Sequence, residues 1–271
     1  MLTRGLAKAK HLLRTEGPWS VIRVIWSSIW LRLRLKAMAH KKSVKLDGCS
    51  FSLQSIPDSF TKLFLLTNRY ELPERRAVTH HLRRDLPVIE LGGALGVVAC
   101  ITNKLLKDPT AHVVVEANPL AIPLLKLNKE SNHCGFNIVN RAIAYDVETV
   151  TFRPAVDLAA NSIETYGTQS YGTAPPVTVE AIQLGRLITE YGFSRFSLVC
   201  DIEGKEYDLV CHEIEALKRA DAIIMETHAR IIGEEKTKLM MNKLTDLGFK
   251  IVEEDGYVTT LRQSAEMSPG D

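Results

Sequence analysis

Two glutamates end two short apolar stretches that have the composition of buried β-strands. Glu90 follows Val88 and Ile89 and precedes a glycine-rich turn, and Glu116 closes the run that begins at His112. In open α/β sheets ligands bind beyond the carboxyl ends of the strands, so both carboxylates are expected at one edge of a sheet. One carboxylate can pair with a cationic amino group, and the other can accept hydrogen bonds from two vicinal ribose hydroxyls. The pair therefore favours a ligand that carries both groups.

The turn after the first glutamate has three glycines within five positions. Gly92 and Gly93 would let the backbone turn sharply and approach a ligand, and Gly96 would let the next helix pack close to the strand. A dinucleotide-binding G-x-G-x-x-G motif would need a glycine at Leu91, which disfavours a nicotinamide cofactor. The segment therefore predicts S-adenosylmethionine, with the first glutamate at its methionine end and the second on its ribose. An NAD-type site and a Rossmann-like scaffold without a cofactor are the alternatives.

Further acidic residues and a histidine follow two later predicted strands, Phe196–Ile202 and Ala222–Thr227. Methyl transfer is an in-line displacement, and a hydroxyl acceptor needs a base for its proton. Asp201 is the first candidate for the base, and His228 or Glu203 is the next. As alternatives, Glu203 could complement the dipole of the following helix, and the histidine could be an ordinary loop residue.

A metal ion is an alternative to a base acting alone. Asp201, Glu226 and a neighbouring oxygen could bind a divalent ion, because oxygen ligands suit such ions. No group of His and Cys residues has the spacing of a zinc site. No metal site is therefore assigned.

Residues that bind the methyl acceptor are predicted in two places. The segment 155–176 has the composition of a loop, and a loop of that length in a compact domain is more often functional than idle. Its aromatic rings and short polar groups suit a carbohydrate, although an ordinary surface loop is equally consistent. The other place is the edge where the later strands end. The predicted acceptor-binding residues are Tyr166, Gln169, Tyr171, Glu206 and Glu226.

Strands and helices alternate from residue 87 onward, which predicts βαβ units and a parallel sheet. The last two strands, Lys250–Glu253 and Tyr257–Leu261, are separated by a short turn and should form an antiparallel hairpin. Before the sheet, residues 44–56 indicate a hairpin around Asp47-Gly48, and residues 58–85 are mostly helical. The other predicted elements are helices at about 95–107, 119–131, 179–191, 205–219 and 234–247, and a strand at Asn137–Ile143.

Several of these segments resemble the FkbM-type methyltransferases over about residues 70–262. The resemblance implies a class I methyltransferase fold, which is a Rossmann-like, mostly parallel seven-stranded sheet with an antiparallel last strand. It also implies O-methylation of hydroxyls of sugars, glycoconjugates or secondary metabolites. The matching segments are Glu90-Leu-Gly-Gly-Ala-Leu-Gly96, Glu116-Ala-Asn-Pro119, Asn128 with Asn132, Ala142 with Asp146 and, above all, Asp201-Ile-Glu-Gly-Lys-Glu206. The cofactor-binding residues that follow from the motifs and the resemblance are Glu90, Gly92, Gly93, Gly96, Glu116, Ala117, Ala142 and Asp201.

The sequence departs from the family pattern at two places. Gly93 and Ala94 stand where the family usually has an Ala-Asn pair, and Gln183 stands where it often has Asp. Neither change removes a carboxylate that is expected to hold the cofactor.

Composition and charge indicate the domain organisation, the partners and the compartment of the protein. The chain has 271 residues, of which 45% are hydrophobic, so one α/β domain with an extension is expected. The net charge of +2 says little about nucleic acid, and no nucleic-acid partner is predicted. The five cysteines include no C-x-x-C pair, as in a reduced, cytoplasmic protein. The predicted domains are basic helices at 1–43, a hairpin with helices at 44–86, the methyltransferase domain at 87–262 and a flexible tail at 263–271.

The N-terminal segment is basic and carries every tryptophan of the chain. Residues 1–45 hold eleven Lys and Arg residues and a single acidic one. The apolar stretch Val21–Leu31 is too short and too charged to span a bilayer. On a helix at 19–38 the tryptophans share one stripe, which suits contact with an anionic membrane surface at the inner face. Self-association through residues 1–40, or packing on the protein's own core, is the alternative.

Overall fold

The computed structural model describes residues 41–56, 58–154 and 175–264. From Ser43 onward these residues belong to one compact unit. No helix within the described ranges is long and apolar enough to cross a membrane. The helices predicted before residue 40, the tail beyond residue 264 and the predicted acceptor-binding residues Tyr166, Gln169 and Tyr171 lie outside the described residues.

The strands form a two-stranded, a three-stranded and a seven-stranded sheet. They are β1 (Ser43–Leu46), β2 (Cys49–Ser52), β3 (Val88–Leu91), β4 (His112–Val115), β5 (Asn137–Val139), β6 (Ala142–Ile143), β7 (Thr149–Phe152), β8 (Val177–Ile182), β9 (Phe196–Cys200), β10 (Ala220–Glu226), β11 (Phe249–Asp255) and β12 (Val258–Gln263). The helices are α1 (Ser59–Leu66), α2 (Leu72–His81), α3 (Val97–Leu105), α4 (Ile122–Ser131), α5 (Leu184–Glu190), α6 (Glu206–His212), α7 (Ile214–Leu217), α8 (Ala229–Ile232) and α9 (Glu234–Asp246).

The seven-stranded sheet has the order β11-β12-β10-β9-β3-β4-β5. β3 pairs in parallel with β4 and β9, and only β12 runs antiparallel to its neighbours β10 and β11. The predicted sheet and its C-terminal hairpin are therefore confirmed. The chain order reverses beside β3, and such a switch point opens a crevice at the carboxyl ends of the strands.

Apolar side chains cover both faces of this sheet, because alternate residues of a strand point to opposite faces. Val88 and Val114 pack with residues of the β1–β2 hairpin and of α1 to α4. Ile89 and Val113 pack with residues of α5, α6 and α9. Burial on both faces explains why these strands are continuously apolar in sequence.

Two predicted elements are wrong in detail near the three-stranded sheet. The helix predicted at about 179–191 begins only at Leu184, because residues 177–182 form β8. β8 pairs with β6 and β7, so strands distant in sequence hold these residues in an extended conformation. The strand predicted at Asn137–Ile143 is divided, since β5 joins the large sheet and β6 joins β8.

The helix predicted at 205–219 is interrupted at Glu213. This residue has φ −112° and ψ 33° and separates α6 from α7. Its carboxylate accepts hydrogen bonds from the backbone N–H groups of Leu184 (2.6 Å) and Gly185 (3.2 Å). The carboxylate therefore caps the first turn of α5, whose N–H groups have no partner within the helix.

The predicted hairpin around Asp47-Gly48 is confirmed, and a buried arginine ties it to α2. Arg75 is 1% exposed, and its Nε donates to Asp47 Oδ2 at 2.8 Å. Its other nitrogens donate to Asn68 Oδ1 (2.7 Å) and to the carbonyl oxygen of Tyr70 (3.1 Å). The guanidinium thus pairs with three separate acceptors, which offsets the cost of burying its charge.

Candidate active site

A cavity of about 1270 Å³ opens beyond the carboxyl ends of β3, β4, β9 and β10. Pockets for drug-sized ligands measure about 300–1,000 Å³, so this cavity has room for a cofactor and an acceptor together. The predicted site residues that line it are Gly92, Glu116, Ala117, Ala142, Asp201, Glu203 and Glu226.

Gly92 brings the turn after β3 into contact with the loop after β9. It has φ 93°, and a Cβ at this position would lie 1.7 Å from the backbone oxygen of Asp201. A side chain is therefore excluded both by the backbone conformation and by space. Gly93 and Gly96 do not line the cavity. A Cβ at either would lie 2.5 Å from a side-chain carbon of β4 or α4, so these two glycines permit close packing.

Glu116 joins the ends of β3 and β4 at the cavity wall. Its Oε2 accepts from the backbone N–H of Ala94, and its Oε1 accepts from that of Asn118, both at 2.6 Å. Burial raises the pKa of Glu116, and the two backbone hydrogen bonds oppose this effect. Each carboxylate oxygen can accept a second hydrogen bond, so the group can also bind vicinal hydroxyls of a ligand.

The loop after β9 has an uncommon backbone conformation and is held by hydrogen bonds to a buried carboxylate. Glu203 has φ 55° and Gly204 has φ 95°, and a Cβ at Gly204 would lie 2.8 Å from a side-chain carbon of α8. The buried Glu206 carboxylate accepts from the backbone N–H groups of Ile202 (3.0 Å) and Gly204 (3.3 Å). A left-handed conformation at a residue other than glycine persists only when its surroundings impose it, and here they direct the Glu203 carboxylate towards the cavity.

His228 lies behind this loop, and its side chain is 3% exposed. Its Nδ1 lies 3.0 Å from Glu206 Oε1. Its Nε2 lies 3.4 Å from Glu203 Oε2, 3.6 Å from Asp201 Oδ1 and 3.9 Å from Glu226 Oε1. One ligand atom each from Asp201, Glu203 and His228 lies within 4.8 Å of the others, which is a spacing that could hold a metal ion.

The geometry does not support His228 as the catalytic base. Burial alone would lower its pKa, but the neighbouring Glu203, Glu206 and Asp201 carboxylates outweigh burial and raise the pKa to about 11. An imidazole that is already protonated at neutral pH cannot accept a proton, and the ring does not line the cavity.

Acidic groups crowd this end of the cavity. The pKa values of Glu74, Asp201, Glu203 and Glu226 are all raised, and burial is the largest cause for each. Repulsion from neighbouring carboxylates adds to the effect at Asp201 and at Glu226, whose pKa rises to about 8. Such a cluster attracts positive charge, whether on a sulfonium, an ammonium or a metal ion.

The segment before α2 also reaches the cavity, although its sequence predicted only a helix. Tyr70, Glu71 and Glu74 line the wall beside Glu226. Glu71 has φ 46°, again left-handed, at the residue before α2 begins. Pro73 and two acidic residues mark a helix start in the sequence. That this start faces the site depends on long-range packing, which no local pattern reveals.

Besides Gly93, Gly96 and His228, two further predicted site residues, Glu90 and Glu206, do not line the cavity. Glu90 is 1% exposed and lies on β3 with its Oε2 3.4 Å from Nε2 of His112. The predicted direct pairing of Glu90 with a cofactor amino group therefore does not fit the geometry. The predicted acceptor contact of Glu206 does not fit either, because its carboxylate is fully buried against the loop and His228.

Comparisons with known proteins give similarity at the level of fold. No family model and no curated protein matches the chain. A candidate SAM-dependent methyltransferase from Streptococcus mutans is 10% identical, with 82% of this chain and 56% of that chain covered and a TM-score of 0.50. This chain thus spans little more than half of that protein.

Two further solved structures are similar at lower scores. A ribosomal protein L11 methylase from Lactobacillus delbrueckii subsp. bulgaricus is 12% identical, with 73% of this chain and 80% of that chain covered and a TM-score of 0.41. A candidate O-methyltransferase from Klebsiella pneumoniae is 10% identical, with 71% of this chain and 80% of that chain covered and a TM-score of 0.42. The strand order and the likeness to the Streptococcus mutans protein show that this chain has a Rossmann-like, class I methyltransferase fold.

Proposed function

We propose that this chain is an S-adenosylmethionine-dependent methyltransferase of the FkbM type that methylates a hydroxyl of a sugar, glycoconjugate or secondary metabolite. The observation that carries the proposal is Glu116, a buried carboxylate that lines the cavity at the end of β4 and binds the turn after β3. The structures similar in fold that are named as methyltransferases support the same reaction class.

The side chains of the cavity fit this cofactor. When bound, S-adenosylmethionine supplies a methyl group on a positively charged sulfur. Glu116 has free lone pairs for ribose hydroxyls, and Gly92 leaves its side of the wall open. The carboxyl groups of Asp201, Glu203 and Glu226 provide a negative potential that favours a ligand with cationic groups.

A carboxylate at the strand ends would take the proton of the acceptor hydroxyl. Asp201 follows β9 and Glu226 ends β10, and both line the cavity beside the turn that we assign to the cofactor. A base has to lie within hydrogen-bond reach of the proton that it removes, and both carboxylates border the space that an acceptor would occupy. Asp201 is our first choice, because its loop contacts Gly92 directly.

Aromatic side chains at the cavity support a carbohydrate acceptor. Tyr145 lines the cavity and stacks on His212 with ring centroids 4.3 Å apart. Tyr257, at the turn of the C-terminal hairpin, also lines the cavity and is half exposed. Such rings can bind the apolar faces of a sugar ring. The contribution of Tyr166, Gln169 and Tyr171 stays a prediction.

Transfer of a labelled methyl group tests the proposal. The full chain, incubated with methyl-labelled S-adenosylmethionine and a panel of sugars and glycoconjugates, should label at least one hydroxyl acceptor. Asp201→Asn should lower that rate by about 10²-fold or more, the scale of a lost general base. Asp246→Asn, on the exposed face of α9, is the matched control and should leave the rate unchanged. Equal rates in both variants would remove Asp201 from the mechanism.

We also propose that residues 1–40 bring the enzyme to a membrane-linked acceptor. The basic, tryptophan-bearing sequence is the observation behind this step. A chain that lacks residues 1–40 should lose binding to anionic vesicles, and unchanged binding would contradict the proposal.

A further inference from the structure

Three buried polar atoms converge behind the cavity wall without a hydrogen-bond partner. They are Asp201 Oδ1, Glu203 Oε2 and His228 Nε2, each shielded from solvent and without a hydrogen bond among the described residues, although the imidazole lies within ion-pair distance of both carboxylates. Buried polar atoms in folded proteins almost always have partners, so three unpaired atoms at one point require an explanation. The His228 side chain is the most buried of the three and is directed towards the other two.

The separations of these atoms suit ligands of one metal ion. His228 Nε2 lies 3.4 Å from Glu203 Oε2 and 3.6 Å from Asp201 Oδ1. Ligands about 2.1 Å from an ion, at angles of about 90–110°, lie about 3.0–3.4 Å apart. The observed distances are close to that range, whereas they are long for direct hydrogen bonds.

The orientation of the imidazole also suits a metal ligand. Its Nδ1 lies 3.0 Å from Glu206 Oε1, and Glu206 is itself fixed by the backbone of the loop. Histidines that bind metals commonly donate their second nitrogen to a carboxylate, which sets the tautomer and the ring orientation. A cation bound here would displace the proton that the carboxylates otherwise stabilise on the ring, and Nε2 would then present its lone pair to the point where Asp201 and Glu203 meet. This arrangement gives the fully buried Glu206 a positioning role that acceptor binding could not explain.

The point where these atoms meet lies next to the cavity. Asp201 and Glu203 line the cavity, whereas His228 lies behind them. An ion held by all three would therefore lie beside the cavity, and a bound molecule that reached it could complete its coordination, as at catalytic metal sites.

We propose that Asp201, Glu203 and His228 bind a divalent cation at the cavity wall. A set of one imidazole and two carboxylates suits first-row ions such as Mn²⁺ and Zn²⁺. The sequence alone indicates only an alternative ligand set, which contains Glu226 and lacks the histidine. Within the described residues, this is the one group of His, Cys, Asp and Glu side chains with such spacing.

The role of the ion rests on the proposed function, whereas its binding does not. With the ion bound, Asp201 would serve as its ligand instead of as the base, and an acceptor hydroxyl that coordinates the ion would lose its proton more easily to water in the cavity. The acceptor oxygen then forms a bond to the methyl carbon while the bond from that carbon to sulfur breaks. The electron pair of the broken bond stays on sulfur, which becomes a neutral thioether.

Titration of the full chain with MnCl₂, followed by electron paramagnetic resonance, tests the site. The wild type should bind Mn²⁺, and the bound ion should show a hyperfine coupling to a histidine nitrogen. His228→Gln should lower the affinity at least tenfold and abolish the nitrogen coupling. Glu203→Gln should lower the affinity but keep the coupling, so the proposal can be tested even if one variant does not fold. His80→Gln, an exposed histidine on α2, is the matched control and should bind like the wild type.

Two outcomes would overturn the site: a wild-type chain that binds no Mn²⁺, and a nitrogen coupling that persists in folded His228→Gln. S-adenosylhomocysteine is titrated into the same samples to separate the two proposals. If S-adenosylhomocysteine binds and Mn²⁺ does not, the ion site fails and the proposed function stands. If Mn²⁺ binds as expected and S-adenosylhomocysteine does not, the ion site stands and the proposed function fails.

Discussion

Arg75 and His228 are two of the basic side chains that are buried among the described residues, and their surroundings differ. Arg75 is 1% exposed and donates to Asp47, Asn68 and the backbone of Tyr70. His228 is 5% exposed, but only its Nδ1 has a close partner, while Nε2 faces carboxylates beyond normal hydrogen-bond distance. The arginine lies far along the chain from the site loop and joins the hairpin to α2, whereas the histidine lies directly behind the cavity wall.

The difference separates a structural from a functional buried charge. A buried cation whose donors are hydrogen-bonded within the protein contributes to stability and has no free group for a ligand to bind. Around His228, several carboxyl groups have raised pKa values and unpaired atoms, which costs stability in the protein alone. That cost is expected where a site is prepared for a cationic ligand.

Removal of the arginine should have the largest effect on stability. Arg75→Met leaves Asn68 and the Tyr70 carbonyl without their donor, so the free energy of unfolding should fall by about 3 kcal/mol. This is the lower end of the range for breaking a buried pair, because Asp47 stays partly in water. Urea unfolding followed by circular dichroism measures the change. Arg76→Met, at a 56% exposed side chain, should change stability by less than about 1 kcal/mol. Equal losses would contradict the assignment of Arg75 as the structural anchor.

The hydrogen-bonded carboxylate of Glu213 should have the next largest effect on stability when it is removed. Glu213→Ala removes the acceptor of two N–H groups at the start of α5, and we expect a loss of about 2–3 kcal/mol in urea unfolding. Glu215→Ala, two residues further along the chain and with an 83% exposed side chain, should lose less than about 1 kcal/mol. If the two variants are equally stable, the cap does not carry the energy that its geometry implies.

The acidic cluster should show the smallest change, and of opposite sign. Glu74→Gln removes a buried carboxylate beside Glu226 and lets the amide donate to it, so stability at neutral pH should rise by about 0.5–2 kcal/mol. Because the pKa of Glu74 is raised in the folded state, its ionisation opposes folding above the ordinary glutamate pKa. The gain should therefore shrink as the pH falls towards and below that value.

Thermal unfolding across pH measures this gain. Glu234→Gln, an exposed residue in the first turn of α9, should instead lose a few tenths of a kcal/mol through the helix dipole. A loss of stability in Glu74→Gln at neutral pH would contradict the claim that the acidic cluster, unlike the surroundings of Arg75, lowers the stability of the protein alone.

Much of the fold was predictable, because its signals are local. The apolar runs at Val88–Leu91 and His112–Val115 and the turn before β12 each carry their own pattern, and the parallel sheet with its final hairpin follows from them. β8 and the break at Glu213 were missed because pairing with β7 and capping of α5 depend on residues distant in sequence.

The site was predictable in part for the same reason. Strand ends are local features, so Glu116, Asp201 and Glu226 were found and do line the cavity. The direction of a side chain at a strand end is not local. The prediction therefore put Glu90 in the cavity, where it does not lie, and missed that Glu71 lines the cavity wall.

Calorimetric titration with S-adenosylhomocysteine tests the central claim most directly. The wild type should bind at about micromolar affinity, and Glu116→Ala should bind at least tenfold more weakly, which is about 1.4 kcal/mol. Glu116→Gln, which keeps one acceptor oxygen for the backbone, should also weaken binding, and Glu130→Ala, at an exposed residue of α4, should bind like the wild type. Absence of binding to the wild type, or equal binding by folded Glu116→Ala, would contradict the account.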